Sequence, residues 1–325
     1  MQQPAFQKIA DFRRDQIITG FFLVKNLTLK TSPKNNRQYG DYQLADQTGE
    51  INAKLWEVAD PSACPDVGSF IKVQGLVTEY QGKPQLRIDR MRLVTEEDPV
   101  DMGELVPSAP EDSRSMLKEL GAYIQRIEDE QLRALVAAYV AEVEQQLPYY
   151  PAALRNHHSI RAGLVYHTLS MLRMADGVLA VYPFLRRDLL FAGVIIHDLA
   201  KTEELDAKNT GIATQYTREG ALLGHITQGI VLVDRLGQRL GTDTERITLL
   251  EHMILSHHYE PEFGSPKRPM FPEAEVLHYL DILDARMYDF QKIEESLKPG
   301  EFSEPVWLLQ NRKLYKPQWG SEAEG

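Results

Sequence analysis

A run of apolar residues that ends in an adjacent histidine and aspartate constrains the fold of this chain more than any other feature. Residues 189–196 read LLFAGVII, and His197, Asp198 and, one turn later, Lys201 follow. The run predicts a buried helix, in which His, Asp and Lys are costly unless they are paired or bind a metal. Neighbouring side chains point about 100° apart on a helix, so His197 and Asp198 can converge where the helix ends at a cavity. The alternative is an ordinary cap or surface pair.

The composition is that of a globular chain with no membrane segment. Its 325 residues are enough for two domains with separate cores. The single cysteine, Cys64, cannot form an internal disulfide and fits a reducing compartment. The N-terminal residues lack an apolar signal segment, and no run approaches the roughly 18 apolar residues of a membrane helix. We therefore expect a cytoplasmic protein with no membrane partner.

Charge is distributed unevenly along the chain. The net charge is −11, yet residues 1–95 carry 13 Lys and Arg against 10 Asp and Glu, a net charge of +3. The remaining residues therefore carry −14, which together with +3 gives −11. This asymmetry is compatible with nucleic-acid binding by the first part of the chain only.

The first third of the chain has the pattern of a small β-barrel. Residues 17–31, 39–56 and 68–94 are rich in β-branched and aromatic residues, and turn sequences divide the second and third stretches. Five short strands in about 80 residues suggest a closed barrel of the OB-fold type. We assign residues 1–95 to this domain.

The remainder of the chain reads as a linker, a helical domain and a tail. Residues 96–113 are rich in proline and acidic residues, which is typical of an interdomain linker. Residues 114–300 contain seven segments with apolar residues at three- and four-residue spacing, which predicts helices. Residues 301–325 form the tail. The predicted fold class is therefore multidomain, with an N-terminal all-β OB-fold barrel followed by an all-α domain.

Four of the predicted helices each carry a histidine within an otherwise apolar face. They supply His167, His197 with Asp198, His225, and the pair His257 and His258, and the last long helix adds Asp281 and Asp284. One such histidine is commonly a satisfied core residue, but coincidence explains four poorly. Imidazoles with carboxylates suit Mn²⁺, Fe, Ni or Zn²⁺, and about six ligands favour two metals over one tetrahedral zinc. Two metals can hold the attacking water and the leaving oxygen of a phosphodiester.

The order of these residues resembles that of a known superfamily. The polar residues occur in the order His, His-Asp, His, His-His and Asp, and Lys201 lies four residues after the second histidine. This order resembles that of the HD superfamily of metal-dependent phosphohydrolases. The barrel-like front is also part of the likeness. The barrel-like residues and five later segments together are similar to the YhaM-type 3′→5′ exoribonucleases of bacteria. These segments are NHHSIRAGLVYHTLSMLRMAD, HDLAKTEEL, LSHHYEPEFGSPKRP, LHYLDILDARM and NRKLYKP. This resemblance covers nearly the whole chain.

The resemblance implies that the all-α domain is an HD domain with a particular ligand set. The implied metal ligands are His167, His197, Asp198 and Asp281, with His225 and either His257 or His258 completing a second metal. Asp281 is placed like the last ligand of the family. Asp284 lies one helical turn away, so an exchange of roles between the two aspartates stays open.

The same resemblance points to catalytic and supporting residues around this set. Asp198 and Lys201 are the expected catalytic residues, with Lys201 as a cation beside the developing phosphate charge. A charge at the C-terminal end of a helix is the alternative interpretation of Lys201. His157 and His158 are expected to cap or support the first ligand helix. Ala162 is a departure, because related sequences often have a second glycine there.

Substrate contacts are expected in both domains. In the helical domain they are Lys267 and Arg268, next to the histidine pair, with simple solvation of the loop as the alternative. On the barrel, Lys34 and Arg37 would follow phosphates, and Tyr39 and Trp56 would stack on bases unless they belong to the core. The other barrel candidates are Phe22, Tyr80, Lys25, Lys30, Lys83 and Arg87.

We predict a metal-dependent 3′→5′ exoribonuclease that hydrolyses single-stranded RNA to nucleoside monophosphates. The cofactor would be one or two divalent metal ions, with Mn²⁺ as the first choice and Mg²⁺, Fe, Ni or Zn²⁺ as alternatives. Single-stranded DNA as a second substrate and a homo-oligomeric state stay open. The rival functions are an HD-type nucleotide phosphohydrolase or phosphodiesterase, and a non-catalytic nucleic-acid-binding protein with a structural metal.

Overall fold

The chain folds into two compact units. One unit comprises residues 1–110 with 207–214, and the other comprises residues 111–206 with 215–325. The computed structural model describes residues 6–32, 37–58, 60–80, 82–95, 97–98, 100, 105–154, 157–207 and 211–319. The predicted fold class, an OB-fold barrel followed by a helical domain, is confirmed.

In the described part of the first unit, five strands close into a barrel. The strands are β1 (Ile17–Thr31), β2 (Gln38–Asp46), β3 (Gly49–Leu55), β4 (Phe70–Tyr80) and β5 (Lys83–Leu93). Their order around the barrel is β1-β2-β3-β5-β4, and β4 pairs with β1 to close it. Neighbours are antiparallel except β3 and β5, which are parallel. This strand order is that of an OB-fold.

The first strand of the barrel is covered on both faces. Phe22 belongs to the interior cluster, whereas Phe21 belongs to a second cluster that also contains Leu105 and Val106. Leu105 and Val106 fall in the segment predicted as a linker, so part of that segment packs as core. Phe22 is fully buried, so the prediction that it stacks on bases is wrong.

The second unit is mainly helical. Its helices are α1 (Ser113–Gln125), α2 (Glu130–Val143), α3 (Gly163–Val181), α4 (Arg187–Ile196), α5 (Lys201–Glu204), α6 (Arg218–Leu240), α7 (Thr244–Ser256) and α8 (Pro272–Ser296). A two-stranded sheet of β6 (Leu205–Ala207) and β7 (Ala213–Tyr216), which the sequence did not predict, lies between α5 and α6 in the chain. Among the described residues, no helix is both long and apolar enough to cross a membrane.

Helix α4 lies at the centre of the helical unit. It packs against α2, α3, α7 and α8, and every residue from Leu189 to Ile196 is buried. Because neighbours cover it on all sides, its sequence is apolar throughout and not amphipathic. The end of α4 therefore presents its next residues to the interior of the domain.

Candidate metal centre

The end of α4 delivers a histidine and an aspartate into the same buried space. His197 keeps helical backbone angles and its N–H still bonds to the carbonyl of Gly193, whereas the chain leaves the helix at Asp198. Both side chains are almost fully buried. Nε2 of His197 lies 3.4 Å from Oδ2 of Asp198. The two neighbours therefore converge at the helix end, as the sequence predicted.

The carboxylate of Asp198 lies between two groups of imidazoles. On the Oδ2 side, His167 has its Nε2 at 3.8 Å, and His197 is the second imidazole of this group. On the Oδ1 side, Nε2 of His225 lies at 3.3 Å and Nε2 of His257 at 3.7 Å. Residues from α3, α6 and the ends of α4 and α7 thus meet at one carboxylate.

The histidines around Asp198 share one orientation. The Nδ1 atoms of His197, His257 and His258 donate to the backbone carbonyls of Val194, Ile254 and Phe263 at 2.8, 2.7 and 2.6 Å. A carbonyl can only accept, so Nδ1 carries a proton in each of these three residues, and in the neutral form of the imidazole Nε2 keeps a free lone pair. A second hydrogen bond at Nδ1 is the usual means by which proteins fix a metal-ligating imidazole.

Several buried atoms at this centre have no hydrogen-bond partner among the described residues. They are Nε2 of His197, His225 and His257, together with Oδ1 of Asp198. An unsatisfied buried polar atom costs about 1–3 kcal/mol. Four such atoms around one carboxylate fit the donors that divalent cations use, and bound cations would satisfy them.

Electrostatics at the centre keeps the carboxylate charged. Burial alone would raise the pKa of Asp198, but the Lys201 ammonium and the His197 imidazole outweigh it and lower that pKa well below its usual value. Burial by itself, and then the neighbouring His258 and His197, lower the pKa of His257. An ionised aspartate beside a neutral imidazole is the protonation state that metal ligation requires.

The two aspartates of α8 have different surroundings. Oδ1 of Asp281 lies 3.4 Å from Nε2 of His167. Asp284 instead accepts a hydrogen bond from Nδ1 of His167 at 2.7 Å, and its Oδ2 atom also lies 2.7 Å from Nε2 of His158. His158 therefore supports the first ligand helix through Asp284. The expected capping is absent, because α3 has no side-chain cap within the described residues.

Glu204 is a member of the centre that the sequence did not reveal. Its carboxylate lies 3.1 Å from both the backbone nitrogen and Nδ1 of His225. The peptide N–H of His225 is free for this bond because α6 is interrupted at Gly224, which has φ 69° and ψ 163°. Only glycine adopts such angles readily. A glutamate after the HD motif and a glycine directly before a candidate histidine were the available signals.

Lys201 is hydrogen-bonded directly to the carboxylate of Asp198. Its Nζ donates to Oδ2 of Asp198 at 2.6 Å, and its side chain is 12% exposed. The residue is the first of the four residues of α5. Although burial opposes the charged ammonium, Asp198 and Asp281 raise the pKa of Lys201.

A cavity of about 1040 Å³ opens onto the centre. His225, His258, Asp281 and Lys201 contribute to its lining. Within the described chain, Lys267 and Arg268 are exposed and do not line it. Arg268 instead pairs with Glu260 at 3.3 Å and lies over the ring of Tyr259. Those two partners do line the cavity, so Arg268 lies near its margin.

Only some of the barrel residues that were predicted to contact nucleic acid lie close to one another. The rings of Tyr39 and Trp56 lie 5.1 Å apart, and Trp56 is 49% exposed. Arg37 pairs with Glu57, and Lys34 lies outside the described residues. Other cations predicted to follow the phosphate backbone also have carboxylate partners: Lys25 with Glu50, Lys30 with Asp41, and Arg87 with Asp89. Tyr80 and Lys83 are exposed.

The chain is similar to two known domain families and to a set of bacterial enzymes. Residues 164–286 match the family described as HD domain, and residues 23–94 match the family described as OB-fold nucleic acid binding domain. A protein of Geobacillus sp. (strain WCH70) named 3′-5′ exoribonuclease YhaM is 40% identical over 302 residues, covering 93% of this chain and 92% of the relative. Proteins of the same name from Bacillus subtilis (strain 168) and Listeria monocytogenes serotype 4b (strain CLIP80459) are 39% and 37% identical. They cover 91% and 96% of this chain, and 94% and 98% of the relatives.

Proposed function

Because the chain belongs to the YhaM family of 3′-5′ exoribonucleases and is a metal-dependent hydrolase, we propose that it shortens single-stranded RNA from the 3′ end. The product of each cycle would be a nucleoside monophosphate. The observation that supports this most is the position of Asp198, whose two oxygens face separate groups of imidazole nitrogens. A carboxylate in that position is suited to bridging two cations.

The residues divide between two cation positions. His167, His197, Asp198 and Asp281 would hold the first, and Asp198, His225 and His257 or His258 would hold the second. The clusters of His167, His197 and Asp198 and of His225, His257 and His258 each bring their ligand atoms within 4.8 Å. The mixed nitrogen and oxygen donors suit Mn²⁺ as the first choice, with Fe, Ni, Zn²⁺ and Mg²⁺ as alternatives.

When bound, the cations supply a nucleophilic water and Lewis-acid polarisation of the phosphate. The protein itself contributes position and charge. Asp284 and Glu204 hold the imidazoles of His167 and His225 with Nε2 towards Asp198. Lys201 stays charged at the cavity wall, where its ammonium can contact a non-bridging phosphate oxygen as negative charge develops.

The barrel supplies binding of the strand. Tyr39 and Trp56 offer an exposed aromatic surface on which bases can stack, which gives little sequence preference. Most cations near it already have carboxylate partners, so few phosphate contacts are expected there. Single-stranded DNA would fit the same surface, since stacking does not require a 2′-hydroxyl.

The lone cysteine is compatible with a cytoplasmic enzyme.

The direct test is a time course on single-stranded RNA labelled at its 5′ end, with Mn²⁺, Mg²⁺ or a chelator. The proposal expects progressive shortening from the 3′ end, release of nucleoside monophosphates, and no reaction with the chelator. Mononucleotides and cyclic dinucleotides serve as competing substrates. Faster hydrolysis of these than of RNA would instead indicate a small-nucleotide phosphohydrolase.

A further inference from the structure

The C-terminal segment that contains the sequence NRKLYKP forms an ordered loop. Val306 donates to the carbonyl of Arg312 at 3.0 Å, and Asn311 donates to the carbonyl of Val306 at 2.9 Å. Gln310 and Asn311 both have left-handed backbone angles, with φ of 60° and 58°. Residues other than glycine adopt these angles at an energetic cost, which is commonly associated with functional positions.

The loop is fixed to α8. Nζ of Lys316 donates to the carbonyl of Glu294 at 2.8 Å, and the guanidinium of Arg312 lies over the ring of Phe290 at 5.7 Å. Leu309 is buried, yet its neighbour Trp307 is 78% exposed. Trp307 and Gln310 belong to the lining of the cavity that contains Lys201 and Asp281. The fold therefore holds an exposed indole at the wall of the metal-centre cavity.

Two further exposed aromatic residues line the same cavity. Tyr216 is 50% exposed and Phe263 is 70% exposed. Phe263 is also connected to the centre, because its carbonyl accepts the hydrogen bond from Nδ1 of His258. Large aromatic side chains left in contact with water inside a cavity are suited to flat apolar ligands.

The cavity lining also includes a cation that has no ion-pair partner among the described residues. Arg286 on α8 is exposed, lines the cavity, and makes no ion pair within the described part of the chain. The acidic residues of the lining have partners of their own. Glu204 lies next to His225, Glu260 pairs with Arg268, and Asp281 lies next to His167. Arg286 is therefore available for an anionic group of a ligand.

Aromatic residues and a guanidinium in the lining of one cavity match the chemistry of a short piece of single-stranded nucleic acid. The volume of about 1040 Å³ lies just above the range for small-molecule sites, about 300–1,000 Å³. We propose that this cavity is the subsite for the 3′ end of the strand, where Trp307 stacks on a base and Arg286 contacts a phosphate. This inference rests on the proposed function and names the parts of the chain that hold its substrate.

The test measures binding and hydrolysis of a trinucleotide. Binding of a trinucleotide with phosphorothioate linkages is measured by isothermal titration, and hydrolysis is measured with the natural trinucleotide. Trp307→Ala is compared with Trp319→Ala, a matched control in the same tail that is 89% exposed and does not line the cavity. Circular dichroism and bound metal are measured for each variant.

We expect Trp307→Ala to raise Kd roughly 5- to 150-fold, the range for loss of one base–aromatic stack. Trp307→Tyr should recover most of the affinity, and Trp319→Ala should match the wild type. Arg286→Gln should weaken binding and reduce its dependence on salt by about one phosphate contact. Equal affinity of Trp307→Ala and wild type would overturn the subsite, while shortening of RNA by the wild type would leave the proposed function intact. A wild type that fails to shorten RNA would overturn both.

Discussion

Oδ2 of Asp284 lies 2.7 Å from Nδ1 of His167, on the side of the imidazole that faces away from Asp198. Asp281, one turn earlier on the same helix, lies 3.4 Å from Nε2 of that histidine. The resemblance favoured Asp281 as the ligand and left an exchange of roles between the two aspartates open. This geometry supports Asp281 as a metal ligand and Asp284 as the residue that orients His167.

Substitution of these two aspartates should therefore have different consequences. Asp284→Asn should lower metal affinity roughly 10- to 100-fold, as loss of an orienting partner commonly does, and excess metal should restore activity. Asp281→Asn should not be rescued in this way, because it removes a charged ligand. Isothermal titration with Mn²⁺ and activity at increasing metal concentration measure both effects. The opposite ranking would assign ligation to Asp284.

Glu204 provides a corresponding test of the second cation position. Without its carboxylate, nothing in the described structure fixes Nδ1 of His225, so Glu204→Ala should release one metal at concentrations that leave the other bound. Glu203→Ala is the matched control, since that neighbouring side chain is exposed. Metal content after dialysis at graded metal concentrations gives the stoichiometry. Loss of both metals together, or of neither, would contradict a separate second position oriented by Glu204.

The sequence predicted the members of the site that interrupt apolar helices. His167, His197 and Asp198 were conspicuous because burial of such groups demands a partner. Glu204 was not, because it follows Glu203 in a polar stretch and its role depends on the break in α6 at Gly224. Arg286 and Trp307 were missed for the same reason, since their position at the cavity is set by tertiary packing alone.

The sequence pattern predicted the strands of the barrel, but it did not show which side chains of the first strand face the interior. The alternation that separates interior from exterior residues is lost from Gly20 to Val24, where five consecutive residues are buried. A second cluster, which includes residues from the predicted linker, covers the outer face there. Phe22 could therefore not be assigned to the interior from its sequence context.

The backbone before α3 gives a prediction about stability. Ala162 has φ 57°, in the left-handed region where glycine is favoured, so Ala162→Gly should stabilise the fold by about 1 kcal/mol. Gly163→Ala should destabilise it by more than about 2 kcal/mol, because a Cβ would lie 2.1 Å from the carbonyl oxygen of His158. Urea unfolding measures both changes in the free energy of unfolding.

Gly177→Ala is the matched control in the same helix. A Cβ there meets nothing within 4 Å, so the substitution should stabilise by about 0.5–1 kcal/mol through helix propensity alone. If Gly163→Ala behaved like Gly177→Ala, the close approach of His158 to α3 would be wrong.

Acid stability of the barrel should depend on Asp41. Burial raises the pKa of this carboxyl, but hydrogen bonds from Lys30, Lys54 and Asn52 outweigh burial and lower it from 3.8 to about 2. A carboxyl whose pKa is lower in the folded than in the unfolded state stabilises the fold at pH values above its unfolded-state pKa. This stabilisation is lost as pH falls from about 4 to about 2. Asp41→Asn should therefore cost about 1 kcal/mol near neutral pH and little near pH 2. Unfolding followed by Trp56 fluorescence over this pH range is the measurement, and Asp89→Asn, at an exposed pair with Arg87, is the control. An unchanged acid dependence in Asp41→Asn would exclude the role of Asp41.

The variant Lys201→Ala distinguishes two roles of Lys201, a contact with the transition state and a contribution to metal binding. The variant should retain its metal, because no imidazole or carboxylate ligand is removed. Its rate on RNA should fall roughly 10²–10³-fold, the usual effect of losing one donor to a developing charge. Bound metal and kcat, measured on the same preparation, give the two values. Loss of metal in proportion to loss of rate would instead indicate that Lys201 acts only by holding Asp198.

The proposed metal centre depends most on Asp198, which would hold the cations, and bound metal together with RNA turnover in Asp198→Asn tests this role most directly. The substitution keeps the size of the side chain and removes its charge. We predict a folded protein with markedly less bound metal, no shortening of end-labelled RNA at any metal concentration, and RNA binding by the barrel intact. A folded, metal-replete and fully active Asp198→Asn protein would contradict the account.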